Sequence, residues 1–220
     1  VAGYSKEGMP STGHTCAVTT AAGLRCWGAN GAHQLGAVTP GSLASSPVNA
    51  MPSLLGHIRD VAIGDSRTCV IHDTEALCWG NNDSGALGNG TTESSETPVS
   101  FATAHPILDI EASQTATCAI VASSAPQLDT AVCAGSQQYG MLGNGLISTE
   151  AAQLTPQPIL KADNFPLTGI VALAHSGEHG CAIVENRELY CFGHNHVGQL
   201  VLGSENSELE IAYATPSPFY

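Results

Sequence analysis

Apolar residues in this chain fall into short runs separated by Gly, Asn, Ser and Pro, and no long helical period interrupts them. Ile58–Ile63, Ile107–Ala112 and Ile170–Ala174 are such runs, each followed after a short loop by a cysteine. A second cysteine comes soon after the first, and the residues between them alternate as in a β-hairpin. Placing Cys69 opposite Cys78 sets Val70 against Leu77 and leaves a turn over His72–Glu75. Ile71 then lies on the cysteine face, and Val70, Leu77 and Trp79 on the other. Around Cys181 and Cys191, Ile183 and Leu189 share the cysteine face while Ala182, Val184, Tyr190 and Phe192 lie opposite. A sheet apolar on both sides needs a neighbour on each side. Radially stacked blades supply one, so the pattern predicts an all-β fold, a β-propeller of four-stranded antiparallel blades.

The second cysteine of each hairpin opens a repeated phrase. It reads Cys26-Trp27-Gly28-Ala29-Asn30 with Gln34-Leu35-Gly36, then Cys78-Trp79-Gly80-Asn81-Asn82 with Ala86-Leu87-Gly88. The third and fourth copies are Cys133-Ala134-Gly135 with Met141-Leu142-Gly143, and Cys191-Phe192-Gly193-His194-Asn195 with Gln199-Leu200. Pro47-Val48, Pro98-Val99 and Pro158-Ile159 read as a Pro-led edge segment opening the repeat that follows. The expected repeats are 1–45, 46–95, 96–155 and 156–212, in one propeller domain over 1–220. Repeat one lacks the opening segment and has Lys6–Pro10 where an apolar strand is expected. Repeat three lacks the aromatic (Ala134) and the Asn (Gln137). The tail, 213–220, with Thr215-Pro216, has the missing segment's character. It is expected either to close a four-bladed ring by pairing with repeat one, the favoured reading, or to begin a further repeat of a longer propeller.

All eight cysteines fall into local pairs: Cys16 with Cys26, Cys69 with Cys78, Cys118 with Cys133, and Cys181 with Cys191. Eight cysteines allow 105 connectivities, and the hairpin registers favour this one, because directly opposed residues lie at disulfide distance. None has the Cys-x-x-Cys spacing of a zinc or redox site. Closing a ten-residue loop stabilises by about 2.7 kcal/mol in the chain-entropy model. Four staples imply an oxidising compartment: periplasm, cell surface or secreted.

Composition narrows the function. Acids outnumber bases 19 to 6 for a net charge of −13, which excludes the basic stripe a nucleic-acid binder needs and disfavours an anionic membrane surface. No apolar run reaches the length of a membrane span, so membrane association is expected only through a partner.

At His14-Thr15-Cys16-Ala17, Cys26-Trp27-Gly28-Ala29-Asn30 and Gln34-Leu35-Gly36, and again at Thr68-Cys69-Val70 with Cys78-Trp79-Gly80, the chain resembles the regulator-of-chromosome-condensation repeat in its bacterial secreted, disulfide-containing type. The resemblance implies a propeller, usually of seven blades where four are counted here. It says little of function, since such propellers serve many roles. The family's nuclear exchange-factor role conflicts with a disulfide-rich chain. Its ultraviolet photoreceptors need tryptophan clusters, and only Trp27 and Trp79 exist here. A secreted inhibitor is compatible with the compartment.

Candidate chemistry is sparse. His175, His179, His194 and His196, with Glu178 and Glu185, are close enough in sequence to converge on a metal. The simpler reading makes His179, aligned with His14, a structural blade residue and the others solvated loop residues, so no metal or other cofactor is expected. Asp65, Asp73, Asn81, Asn82 and Asp83 read as turn formers rather than calcium ligands. Asn82-Asp83-Ser84 and Asn89-Gly90-Thr91 have the form of glycosylation acceptors. No nucleophile motif or carboxylate pair stands out, and no enzyme activity is expected. The expected role is protein–protein interaction, as an extrinsic subunit or scaffold of an extracytoplasmic assembly. The alternative is a secreted inhibitor or lectin-like, carbohydrate-binding propeller.

Overall fold

Sixteen strands form four sheets in the computed structural model, which describes residues 2–4, 13–19, 23–36, 41–51, 54, 57–125, 128–200 and 210–217. Blade 1 is β1 (Ala2–Tyr4), β2 (His14–Thr19), β3 (Gly23–Ala29) and β4 (Leu43–Asn49). Blade 2 is β5 (Ile58–Gly64), β6 (Arg67–His72), β7 (Glu75–Gly80) and β8 (Ser95–Ser100). Blade 3 is β9 (Ile107–Ala112), β10 (Ala116–Val121), β11 (Thr130–Ser136) and β12 (Ala152–Pro158). Blade 4 is β13 (Ile170–Ser176), β14 (His179–Val184), β15 (Leu189–His194) and β16 (Glu210–Pro216). Each is an antiparallel meander in chain order, so every strand pairs with its sequence neighbour.

The middle hairpin of each blade sets cysteine opposite cysteine, with Cα atoms 4.1 Å apart in all four. The disulfides join Cys16 to Cys26, Cys69 to Cys78, Cys118 to Cys133 and Cys181 to Cys191, each within one blade. The turn tips at 20–22 and 126–127 lie outside the described residues, as do Lys6–Pro10 and 218–220.

The Pro-led segments belong to the blade before them. Val48 pairs with Cys26 and Val99 with Cys78, so each segment is the outer strand of the blade whose hairpin precedes it. Every boundary expected from the sequence therefore falls inside an outer strand: β4, β8, β12 or β16. The same shift corrects the ring closure. Thr215 pairs with Cys191 and Pro216 with Tyr190, so the described tail, through Ser217, completes blade 4 rather than pairing with blade 1, whose first strand is its own β1. Each outer strand thus closes the repeat before it, and blade 1 has its own outer strand in β4.

Three apolar clusters fill the spaces between consecutive blades. Trp79, Val70 and Val61 of blade 2 meet Leu24, Leu35 and Met51 of blade 1. Ile71, Leu87 and Phe101 meet Ile110, Ala119 and Ala134 of blade 3. Met141, Leu142 and Ile159 meet Leu173, Ala182 and Phe192 of blade 4. Where repeat three has Ala134 in the aromatic position, Phe101 from the end of β8 fills the space, as a Cβ built on Gly88 would touch both residues.

Polar groups pin the same interfaces. The Gln34 carbonyl accepts from Thr68 Oγ1 at 2.7 Å and Trp79 Nε1 at 3.0 Å. Repeat four has Gly180 and Phe192 at those two donor positions. The equivalent Met141 carbonyl is instead met by His175 Nε2 at 2.7 Å. A buried carbonyl left unpaired is costly, and the substitute donor comes from β13 rather than from the hairpin. Arg67 is fully buried and donates to Thr117 Oγ1 and to the carbonyls of Ser113, Gln114 and Ala116, bolting blade 2 to the β9–β10 turn.

Candidate interaction surface

One rim of the arc is built by a recurring backbone device. Gly28, Gly80, Gly135 and Gly193 all have φ between +102° and +130°, a region L side chains rarely adopt. A Cβ there would collide with the carbonyl of Gly13, Ser66, Thr115 or Glu178 in the turn joining the blade's first two strands. The next residue's N–H donates to that same carbonyl at 2.9–3.0 Å in all four blades. The loop after each third strand is thus held against that turn. An Asn then clamps the loop. Asn30, Asn82 and Asn195 accept through Oδ1 from the N–H of Leu35, Leu87 and Leu200 at 3.0, 2.8 and 3.0 Å.

Repeat three departs here, and the departure shapes the surface. Gln137 stands for the Asn, and the loop becomes a 3-10 turn over Gln138–Gly140 with Tyr139 at φ 57°. Positive φ is uncommon for a bulky residue and marks a conformation held by its surroundings. Tyr139 stacks on His194 with centroids 4.3 Å apart, and His194 stacks on His196 at 4.2 Å. His194 Nδ1 also contacts Glu178 Oε2 at 2.7 Å. Burial lowers the pKa of His179 beside them, and the nearby His194 lowers it further while Glu178 opposes. The result is a ladder of three rings with a carboxylate at its side, carried by two blades.

The histidines are sorted differently from the sequence reading. His179, expected to match His14 as a structural residue, is half-buried at the rim, whereas His14 is buried with Nε2 2.9 Å from Thr68 Oγ1. His175, expected in a solvated loop, is the buried interface donor described above. Its pKa falls to about 4, chiefly through burial. Among the described residues no three His, Cys, Asp or Glu side chains converge as a metal requires. Asn82 is fully buried, with Nδ2 donating to the carbonyls of Thr91 and Glu93, so the first glycosylation triplet is closed to modification in the folded chain. Asn81 and Asp83 bond to each other at the surface.

A second cluster leaves no signal in the sequence because it depends on neighbouring first strands. Asp60 on β5 and Asp109 and Glu111 on β9 repel one another, and Glu111 is pushed up to about 7, first by burial and then by the two aspartates. Asp109 is raised by burial, against the Ile110 N–H it accepts.

Among the described residues no helix is long and apolar enough to cross a membrane. The Regulator of chromosome condensation (RCC1) repeat is matched at residues 73–120 and in a second form at 170–199. The E3 ubiquitin-protein ligase HERC2 of Homo sapiens is 27% identical over 201 residues, 88% of this chain but 4% of the ligase. Yeast RCC1 (Prp20), solved bound to Kap60, superposes with a TM-score of 0.74 at 18% identity, over 92% of this chain and 46% of that one. Human WBSCR16 superposes at 0.73 and 17% identity, over 93% and 50%. The chain thus spans about half the length of these solved relatives and a small part of the ligase. Repeat phrase, blade architecture and superposition agree: the chain is an RCC1-like repeat β-propeller.

Proposed function

We propose that this chain is a non-catalytic protein-binding module of an extracytoplasmic assembly, and that the blade 3–blade 4 rim is its contact surface. The observation that carries this reading is the Tyr139–His194–His196 ladder beside Glu178, carried on a loop that departs from the repeat at Gln137. Rings held rigid at a rim offer contact area at little conformational cost. Yeast Prp20 binds Gsp1p and histones, and a net charge of −13 likewise suits a basic partner here. Four disulfides support an oxidising location. Affinity capture from native material, with the bound species quantified, tests the reading. Wild type retains a protein at near-equal stoichiometry, and a Tyr139→Ala/His194→Ala variant loses it. Retention by a glycan array, with no protein captured, selects the lectin-like alternative instead.

A further inference from the structure

Asn82-Asp83-Ser84 and Asn89-Gly90-Thr91 share one motif, and the fold uses their amides in opposite ways. Both lie in the loop that joins β7 to β8. Asn82 is fully buried and engaged at both ends of its amide. Its Oδ1 accepts the Leu87 N–H at 2.8 Å, and its Nδ2 donates to the carbonyls of Thr91 and Glu93 at 2.9 and 3.1 Å. Asn89 is engaged through its oxygen. That Oδ1 accepts from Thr91 Oγ1 at 3.0 Å, from the Thr91 N–H at 3.2 Å and from Asn82 Nδ2 at 3.3 Å. Asn89 Nδ2 donates to no described residue and is not buried, so this nitrogen is open to solvent.

The surrounding backbone holds this triplet at the surface. Gly90, Thr91, Thr92, Glu93 and Ser94 are all exposed. The Gly90 N–H donates to the Leu154 carbonyl at 2.9 Å, which ties the triplet to β12 of blade 3. Of the described residues, a Cβ built on Gly90 would approach Thr155 alone, at 3.9 Å, so there is room beside Asn89 for a bulky group. An N-glycan acceptor needs a hydroxyl residue two places after an accessible Asn. Thr91 supplies that hydroxyl, already in contact with the Asn89 side chain. Ser84 supplies it for Asn82, but drawing the Asn82 amide out would strip the Leu87 N–H and two carbonyls of their partner.

We propose that Asn89 Nδ2 is the attachment point of an N-linked glycan and that Asn82 stays unmodified. The proposal rests on the extracytoplasmic reading above, since the donor is a lipid-diphosphate-linked oligosaccharide of the secretory compartment. In the transfer Nδ2 bonds to C1 of the first sugar as the C1–O bond to the diphosphate breaks. The lipid diphosphate leaves with the electron pair, and one amide proton passes to a base of the transferase. The test secretes the full chain from cultured eukaryotic cells and treats it with peptide-N-glycosidase in heavy-oxygen water, which turns a glycan-bearing Asn into labelled Asp. Peptide mass spectrometry then reads both triplets and the cysteines. Label at Asn89 and none at Asn82 is the expected result. Thr91→Ala abolishes the label and Thr91→Ser retains it. Both variants keep the Thr91 main-chain carbonyl that Asn82 uses, and circular dichroism shows that they fold. An unmodified Asn89 beside four intact disulfides overturns the proposal alone. An unmodified Asn89 beside free thiols overturns the compartment with it. Label at Asn82, or label at Asn89 that survives Thr91→Ala, overturns the proposal too.

Discussion

Replacing His175 by Leu removes the side-chain donor to the Met141 carbonyl that the described residues supply at the blade 3–blade 4 contact, while keeping an apolar side chain beside Phe192. Leaving that carbonyl unpaired destabilises by about 1–3 kcal/mol at pH 8. The pH dependence gives a sharper signature. The folded-state pKa of His175 is about 4, against an ordinary 6.5, so below 6.5 the unfolded chain takes up a proton the folded chain refuses. The stability this neutral imidazole confers is complete above pH 6.5 and is lost as pH falls towards 4. The full loss is about 3 kcal/mol, of which about 2 kcal/mol has gone by pH 5. The His175→Leu variant has no such loss. Urea denaturation of both oxidised proteins at pH 8 and pH 5 should find the variant weaker by about 2 kcal/mol at pH 8 and the two nearly equal at pH 5. A gap of the same size at both pH values would refute the assignment of His175 as a buried neutral donor.

Glu111 acts in the opposite direction. Its folded pKa of about 7 lies above the ordinary 4.5, so its stabilising protonated form is lost as pH rises through 7. Glu111→Gln should therefore stabilise at pH 8 by about 1–2 kcal/mol after allowance for solvent screening, with little effect at pH 5, as read by melting at the two values. Arg67→Ala strands the carbonyls of Ser113, Gln114 and Ala116 and should cost about 3–5 kcal/mol. Hydrogen exchange should then show the β9–β10 turn losing protection first. Ala134→Phe overpacks the space Phe101 already fills and should destabilise by about 1–3 kcal/mol. Adding Phe101→Ala should recover most of that loss, a coupling that a double-mutant denaturation cycle measures.

The blade hairpins were legible because their signal is local. Alternation and the paired cysteines fix which residues face each other, and the pairs Ala17–Arg25, Val70–Leu77 and Ile183–Leu189 stand in that register. Assigning the fourth strand was not local. A Pro-led segment between two hairpins pairs equally well on paper with either, and only the pairing of Val48 with the Cys26 strand and of Val99 with the Cys78 strand decides. The error carried to the tail and to the idea of a closed ring. The rim cluster was half visible. His194, His196 and Glu178 belong to one repeat, but Tyr139 lies in another blade. Its approach depends on a positive φ that the loss of the clamping Asn at Gln137 hints at without specifying. His175 escaped because its partner is a main-chain carbonyl, which leaves no mark in the sequence.

Peptide mapping of the unreduced protein by mass spectrometry tests the account most directly, since every packing argument rests on a hairpin pinned within its own blade. Four linked fragments are expected, joining Cys16 to Cys26, Cys69 to Cys78, Cys118 to Cys133 and Cys181 to Cys191, with no free thiol. A fragment linking cysteines of two different blades would contradict the blade assignment and the interfaces built on it.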